Sequence, residues 1–227
     1  RRYRPAIGAT TCLLPHVALP RPHMEGLGAG LQVNSEVTFV PAFRAPIETE
    51  RLILRHLEMD DVEDIHRIMD LDLHVQPPEY RLTLAERRER TTYHVMQSRL
   101  DPGFGYRAVI LKSDGRFIGR CGLSSYLAHF IQIEPGRYPD DPYMSLEVEL
   151  GYDLDSAHQG KGYATEATRA MINHRFSELR LKRIITITGD DNARSIAVMK
   201  NAGMKIMPNV HPDWTGEVVG ILENDRF

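Results

Sequence analysis

Apolar and polar residues follow two different periods along the chain after residue 46, and these periods predict an α/β (α+β) domain. Alternation at every second position predicts a strand at 51–57, and apolar or β-branched runs predict further strands at 105–112, 116–126, 144–154, 182–188, 205–207 and 217–222. Spacings of three or four predict a helix from about 60, and a capping box of Thr83 and Glu86 predicts a second at 83–100. Two more helices are expected at 162–179, after a glycine-rich turn, and at 191–201, where Gly203 ends the helix. We therefore expect a mixed, mostly antiparallel central sheet of about seven strands, flanked by helices.

The first 46 residues have a different composition, with six prolines and four glycines. Proline removes backbone donors and glycine adds chain entropy, so a long helix or a central strand is not expected there. We predict an irregular extension over 1–46 and a single domain over 47–227. The apolar segments 12–14 and 37–40 are expected to pack on the domain or on the partner subunit of a homodimer.

Composition narrows the class of protein. The formal net charge of −3 does not indicate nucleic acid or an anionic membrane as a partner. No apolar run approaches the roughly 20 residues that span a membrane. The two cysteines, Cys12 and Cys121, form no Cys-x-x-Cys pair, so a reducing, cytoplasmic compartment is expected. An anionic cofactor would need local backbone dipoles or a few cations to hold it.

A glycine-rich turn lies between the predicted strand 144–154 and the helix that follows it. Its sequence is Gln159-Gly160-Lys161-Gly162-Tyr163-Ala164. Glycines allow close approach of the backbone to a ligand, and a helix start offers unpaired N–H groups at the positive end of its dipole. This arrangement predicts a site for a pyrophosphate.

Three other loops with a similar composition are excluded. A Walker loop requires glycine at the position of Asp155, and the dinucleotide fingerprint requires glycine at the position of Thr165. A calcium loop that starts at Asp153 would require a ligand at Ala157 and glycine at His158. No metal site is therefore predicted in this segment.

The loop resembles the Gln/Arg-x-x-Gly-x-Gly/Ala motif of the GNAT superfamily of N-acetyltransferases. Gln159, Gly162 and Ala164 occupy its three defining positions. Asn192-Ala-Arg-Ser195 matches the Asn-x-x-Ala/Ser element that follows the next strand in this superfamily, and Gly203-Met204 stands where Gly-Phe is usual.

Three further segments, 48–55, 149–152 and 160–167, resemble the branch that acetylates the N-termini of ribosomal proteins. The resemblance covers about residues 48–222. It implies the GNAT fold and acetyl-coenzyme A as the acetyl donor.

The resemblance also implies how the donor is held. The pantetheine arm is expected to pair with the backbone of Tyr152 and Leu154, and Asn192 is expected to contact the same region. The pyrophosphate is expected on the backbone amides of Gln159, Gly160, Lys161, Gly162, Tyr163, Ala164 and Thr165.

The implied reaction transfers an acetyl group to a primary amine, which must be neutral to attack. Glu149 is the predicted base, because Glu147 and Glu149 share one face of the strand that leads into the loop. The alternative is that both occupy the solvated face of an alternating strand whose buried face is Leu146, Val148 and Leu150.

The proton donor for the leaving thiolate departs from the family pattern. Many members carry tyrosine seven residues after the asparagine, where this chain has Met199. Ser195 is the predicted substitute, because a hydroxyl can bond the leaving sulfur. The alternatives are a serine that bonds local backbone and a thiolate that leaves without an acid, since a thiol has a pKa of ~8.5.

The acceptor is the least determined part of the prediction. A protein N-terminus and a small amine both fit an active N-acetyltransferase. Candidates to line its site are Tyr80, Phe130, Tyr138 and Tyr143. Met199 and the extension leave open a non-catalytic module that binds acyl-coenzyme A, and a longer acyl donor is a third alternative.

Overall fold

The computed structural model describes residues 45–72, 75, 78–100, 103–134 and 144–226. Eight strands in these residues form one sheet in the order β1-β2-β3-β4-β5-β6-β8-β7. All neighbours are antiparallel except β5 and β6, which are parallel. The strands are β1 Ile47–Glu48, β2 Leu52–His56, β3 Gly105–Leu111, β4 Phe117–His129, β5 Met144–Leu154, β6 Arg183–Gly189, β7 Lys205–Pro208 and β8 Glu217–Glu223. The predicted mixed sheet is confirmed, with the two-residue β1 as the additional strand.

Five α-helical segments accompany the sheet in the described residues: α1 Val62–His66, α2 Leu84–Leu100, the single turn α3 Phe130–Ile133, α4 Tyr163–Glu178 and α5 Ala193–Asn201. A π-helical turn, Arg67–Leu71, continues α1. Thr83 and Glu86 form a reciprocal capping box before α2, with Thr83 N donating to Glu86 Oε2 at 2.8 Å. None of the helices in the described ranges is long and apolar enough to cross a bilayer.

Helices cover both faces of the sheet. Leu52, Leu54 and Val109 point to the face where Met171 and Phe176 of α4 pack. Ala108 alternates with Val109 and points to the other face, where Ile65 of α1 and Val95 of α2 pack. Alternate residues of the strands thus point to opposite faces of the sheet. A third, smaller cluster contains Ala128, Ile133, Ile185, Val219 and Ile221.

Two details differ from the sequence-based expectation. The strand predicted at 116–126 continues as β4 to His129, because its ladder with β5 extends through Leu127↔Leu146 and His129↔Met144. Leu146 was placed on the buried face of β5 in the solvated-face alternative, and its exposed fraction is 74%. Glu147 is the buried neighbour, 4% exposed, because Arg183 neutralises it.

The predicted extension lies almost wholly outside the described residues, and so do Tyr138 and Tyr143. The division at residue 46, the packing of the apolar segments and the homodimer therefore stay predictions.

Candidate active site

The parallel strands β5 and β6 form the central feature of the site, because they diverge after a single point of pairing. Glu149 lies opposite Ile185, and the ladder has no other register pair. Just beyond it, Thr186 Oγ1 donates to the Leu150 carbonyl at 3.1 Å. The edge of β5 that faces β6 is thereby left open from about Gly151 to Leu154. An extended polar chain could form backbone hydrogen bonds there.

A cleft of about 900 Å³ opens beside this edge. It lies between the end of β5, the following loop, the start of α4 and one side of α5. The predicted site residues in its wall are Tyr152, Leu154, Gln159, Gly160, Gly162, Tyr163, Ala164, Thr165, Asn192 and Ser195. Two predicted residues, Glu149 and Lys161, do not line it. The predicted donor-binding residues thus lie on one continuous surface, and Glu149, the predicted base, lies outside it, further along β5.

The glycine loop has the backbone conformation that its composition predicts. Gly160 and Gly162 have φ angles of 73° and 82°, in the left-handed region that favours glycine. Gly162 is the N-cap of α4, and the first intrahelical bond runs from Glu166 N to the Gly162 carbonyl at 3.0 Å. The N–H groups of the first turn, Tyr163 to Thr165, have no partner within the helix and are available to an anion in the cleft.

Gln159 links the loop to the two elements beside it. Its Nε2 donates to the Leu154 carbonyl at 2.9 Å, and its Oε1 accepts from Arg194 Nη1 at 2.7 Å. Arg194 is thereby held at the cleft wall on α5. Lys161 contributes its carbonyl, which accepts from Arg51 Nη1 at 3.1 Å, while the residue itself is exposed. Arg194 is therefore the better placed cation for a phosphate in the cleft.

A network that the sequence did not reveal braces the start of α4. Glu166 accepts hydrogen bonds from Thr49 Oγ1 at 2.6 Å, from Arg51 N at 2.9 Å and from Arg51 Nε at 2.6 Å. Burial opposes ionisation of Glu166, but these bonds outweigh it and lower the pKa of the carboxyl. The Arg51 guanidinium also stacks 4.5 Å from the centroid of the Tyr163 ring. The network fixes the first turn of α4, which carries the loop.

The start of α5 brings two hydroxyls together at the cleft. Asn192 caps the helix: its Oδ1 accepts from Ser195 N and its Nδ2 donates to Thr188 Oγ1, both at 3.1 Å. Ser195 Oγ then lies 2.9 Å from Tyr152 Oη. Burial raises the pKa of Tyr152 to about 12, although the bond with Ser195 acts in the opposite direction. No side-chain role is predicted for Tyr152 from the sequence, because the family resemblance implies a role only for its backbone.

The two glutamates of β5 differ in their electrostatic surroundings. Glu147 is buried and accepts two bonds of 2.7 Å from Arg183, and burial is outweighed by these bonds so that its pKa is lowered. Glu149 is partly buried, and burial together with the nearby Glu217 raises its pKa to about 7, against a bond with Ser124 that lowers it. A carboxyl with this pKa can accept a proton near neutral pH.

Comparison with known proteins identifies the family. A family model described as an acetyltransferase (GNAT) domain matches residues 51–205, more than half of the chain. This chain belongs to the GNAT acetyltransferases. The family assignment agrees with the resemblance drawn from the loop.

Individual relatives agree with this assignment. The L-amino acid N-acetyltransferase AaaT of Escherichia coli is 30% identical over 155 residues, covering 68% of this chain and 83% of AaaT. The ribosomal-protein-S5-alanine acetyltransferase of Vibrio fischeri has the same fold, with a TM-score of 0.60 and 20% identity over 80% of this chain and 98% of that one. RimL, a ribosomal L7/L12 α-N-protein acetyltransferase in complex with coenzyme A, also has the same fold. Its TM-score is 0.58 and its sequence identity is 16%, over 80% of this chain and 99% of RimL. This GNAT protein is an N-acetyltransferase.

Proposed function

We propose that this protein transfers the acetyl group of acetyl-coenzyme A to a primary amine by direct attack of the amine on the thioester. The main support is the cleft, in which the glycine loop at the start of α4 continues into the open edge of β5. A helix start suits a pyrophosphate, and an open strand edge suits the two amides of a pantetheine arm. RimL, which has the same fold, was solved with coenzyme A.

The residues of the cleft fit this donor. The backbone of Tyr152 and Leu154 would pair with the pantetheine arm, and the amides of residues 159–165 would hold the pyrophosphate. Arg194 supplies a cation that Gln159 already orients, and Asn192 lies on the same wall. Acetyl-coenzyme A supplies the acetyl group as a thioester, which reacts with amines without a metal.

Glu149 is the proposed base. It lies three strand residues before Tyr152, about 10 Å along β5 at 3.3 Å per residue, and outside the cleft wall. That separation leaves room for an amine and a water molecule between the carboxylate and the donor. Glu149 would therefore take the proton of the amine directly or through water. The hydroxyls of Ser195 and Tyr152 lie 2.9 Å apart in the cleft wall, where the thiolate would leave.

The acceptor is proposed to be a free primary amine, either of a protein N-terminus or of a small molecule. AaaT is named for L-amino acids and RimL for a ribosomal protein, so the relatives support both classes. A panel of free amino acids, other small amines and peptides with different first residues separates them. The measured quantity is release of the coenzyme A thiol, with the acetylated product identified by mass spectrometry.

Calorimetry with acetyl-coenzyme A tests the proposal as a whole. Saturable binding and thiol release with at least one amine support it, whereas no saturable binding would overturn it. Binding without thiol release across the panel would favour the second candidate, a non-catalytic acyl-coenzyme A-binding module. The observation behind that candidate is Met199, which is buried and has no proton to donate. A series of donors with longer acyl chains tests the acetyl preference in the same assay.

A further inference from the structure

The side chain of Tyr152 reaches into the donor cleft from β5 and meets the first turn of α5. Its Oη lies 2.9 Å from Ser195 Oγ and 3.2 Å from the Ser195 carbonyl oxygen. Both residues line the cleft. Met199, one turn further along α5, is fully buried and packs with the hydrophobic core. A tyrosine hydroxyl, which is absent from position 199, is thus present in the cleft on Tyr152 of β5.

The pair contains one group that can release a proton and one that orients it. A phenol releases its proton far more readily than the hydroxyl of a serine. Ser195 Oγ can donate to the Tyr152 oxygen, while the phenolic O–H donates to the Ser195 carbonyl at 3.2 Å, a long bond in which the leaving sulfur would replace the carbonyl as acceptor. The phenol is protonated at neutral pH; burial raises its pKa to about 12, and the bond with Ser195 acts in the opposite direction. A hydrogen bond from Ser195 would stabilise the oxygen as the proton leaves.

The positions of Glu149 and Tyr152 suit two different proton transfers, removal of a proton from the amine and donation of a proton to sulfur. Residues three apart on a strand point to opposite faces of the sheet. Glu149 lies near Ser124 and Glu217, whereas Tyr152 packs with the core under α4 and contacts α5. A proton can therefore be removed from the amine on one side of β5 and supplied to sulfur on the other.

We propose that Tyr152 is a catalytic residue whose hydroxyl protonates the leaving thiolate of coenzyme A, and that Ser195 is its positioning residue. This inference rests on the proposed function. The amine nitrogen forms a bond to the acetyl carbon, and the carbon–sulfur bond breaks with its electron pair on sulfur. The phenolic proton then moves to sulfur. The amine proton passes through Glu149 to solvent, and the phenolate regains a proton from water in the cleft.

The charged and titratable groups around Tyr152 are compatible with this role. Cys121 of β4 lies directly opposite in the register, and burial raises the pKa of its thiol to about 12, so it is neutral. Asp153 on β5 is paired with Arg120 at 2.9 Å. His158, Tyr163 and Arg194 are the other charged or titratable residues that line the cleft in the described part of the chain.

The test measures the acidity of the coenzyme A thiol when it is bound to the protein, through the ultraviolet absorbance of the thiolate. A phenol that donates to sulfur favours the thiolate. Bound thiol in the Tyr152→Phe variant should therefore be at least tenfold less ionised than in the wild type at the same pH below its pKa, as expected for a bond to a charged acceptor. Ser195→Ala should fall between the two. Tyr93→Phe, at an exposed tyrosine of α2, is the matched control and should equal the wild type.

Kinetics with acetyl-coenzyme A provide a second readout. Tyr152→Phe should lower kcat about 100-fold, the effect of removing a general acid, with little change in KM for the donor. Unchanged thiol acidity, or weaker coenzyme A binding with unchanged kcat, would show that the pair only joins α5 to β5 and would overturn the inference. Failure of the wild type to bind coenzyme A would instead overturn the proposed function, so the two failures are distinguishable.

Discussion

Glu149 predicts a specific pH dependence for acetyl transfer. If it is the base, the active form is the carboxylate, so activity is lost as pH falls through its pKa. With a pKa of about 7, about one tenth of the carboxyl is ionised at pH 6 and about nine tenths at pH 8. The rate should therefore rise about tenfold between these pH values and level off above them. A carboxyl with the ordinary value near 4.5 would give a flat profile over the same range.

Substitution of two neighbours of Glu149 should move the rising part of the pH–rate profile, its acidic limb, in opposite directions. Glu217 raises the pKa of Glu149 by charge repulsion, so Glu217→Gln should shift the limb to lower pH. Ser124 bonds the carboxylate and lowers the pKa, so Ser124→Ala should shift the limb to higher pH. Burial is the largest cause of the raised value and remains in both variants. Opposite shifts from these two substitutions are not expected if another group titrates.

The assay is initial-rate thiol release at saturating acetyl-coenzyme A, with an acceptor whose amine does not titrate between pH 6 and 8. Glu149→Gln should lower the rate by roughly 10²–10⁴-fold, the range for loss of a general base, and should remove the limb. Glu147→Gln is the matched control two residues away: it weakens a buried ion pair but should leave the limb near pH 7. A limb that persists in Glu149→Gln, or that neither Glu217→Gln nor Ser124→Ala moves, refutes the assignment.

Three further predictions test the donor site and the scaffold. Gly162→Ala, at a φ of 82°, should destabilise the fold by about 1–2 kcal/mol and weaken coenzyme A binding in calorimetry. The control Gly115→Ala, at a φ of 71° in the turn between β3 and β4, should destabilise the fold comparably without weakening binding. Equal coenzyme A affinities of the two variants would contradict the loop assignment. Arg194→Ala should weaken coenzyme A binding several-fold, more so at low salt, and a salt-independent effect would argue against a phosphate contact. Arg87→Ala breaks a buried pair with Asp70 and should lower the free energy of unfolding by about 3–5 kcal/mol in urea titration; a loss below about 1 kcal/mol would indicate that the pair behaves as an exposed one.

Local sequence patterns predicted the elements that carry the donor site. The bounds of β5 match the strand predicted at 144–154, and, away from the site, the start of α2 follows from the spacing of Thr83 and Glu86. The loop at 159–164 was found because a strand, two glycines and a helix start occur in immediate succession. Each of these signals involves residues close together in the chain, which is why the sequence alone was sufficient.

Contacts between distant segments were not predictable in the same way. Thr49 and Arg51 bond Glu166 across more than 110 residues. All three lie in segments that resemble the ribosomal-protein branch, yet their spacing in the chain gives no sign that they meet. The contact between Tyr152 and Ser195 spans 43 residues and requires α5 to lie against the open part of β5. Helix and strand periods specify which face a residue occupies, but they do not specify what it meets there.

The contrast between Glu147 and Glu149 shows how a distant residue determines chemistry that local sequence leaves open. Alternation places both carboxyls on one face of β5, so the sequence offered no reason to separate them. Arg183, the first residue of β6, forms two bonds with Glu147 and keeps it ionised. The groups that act on Glu149 are a carboxylate, a hydroxyl and the burial itself, so its neutral form is favoured. Moving a cation beside Glu149 would therefore remove its ability to accept a proton near neutral pH without changing the carboxyl itself.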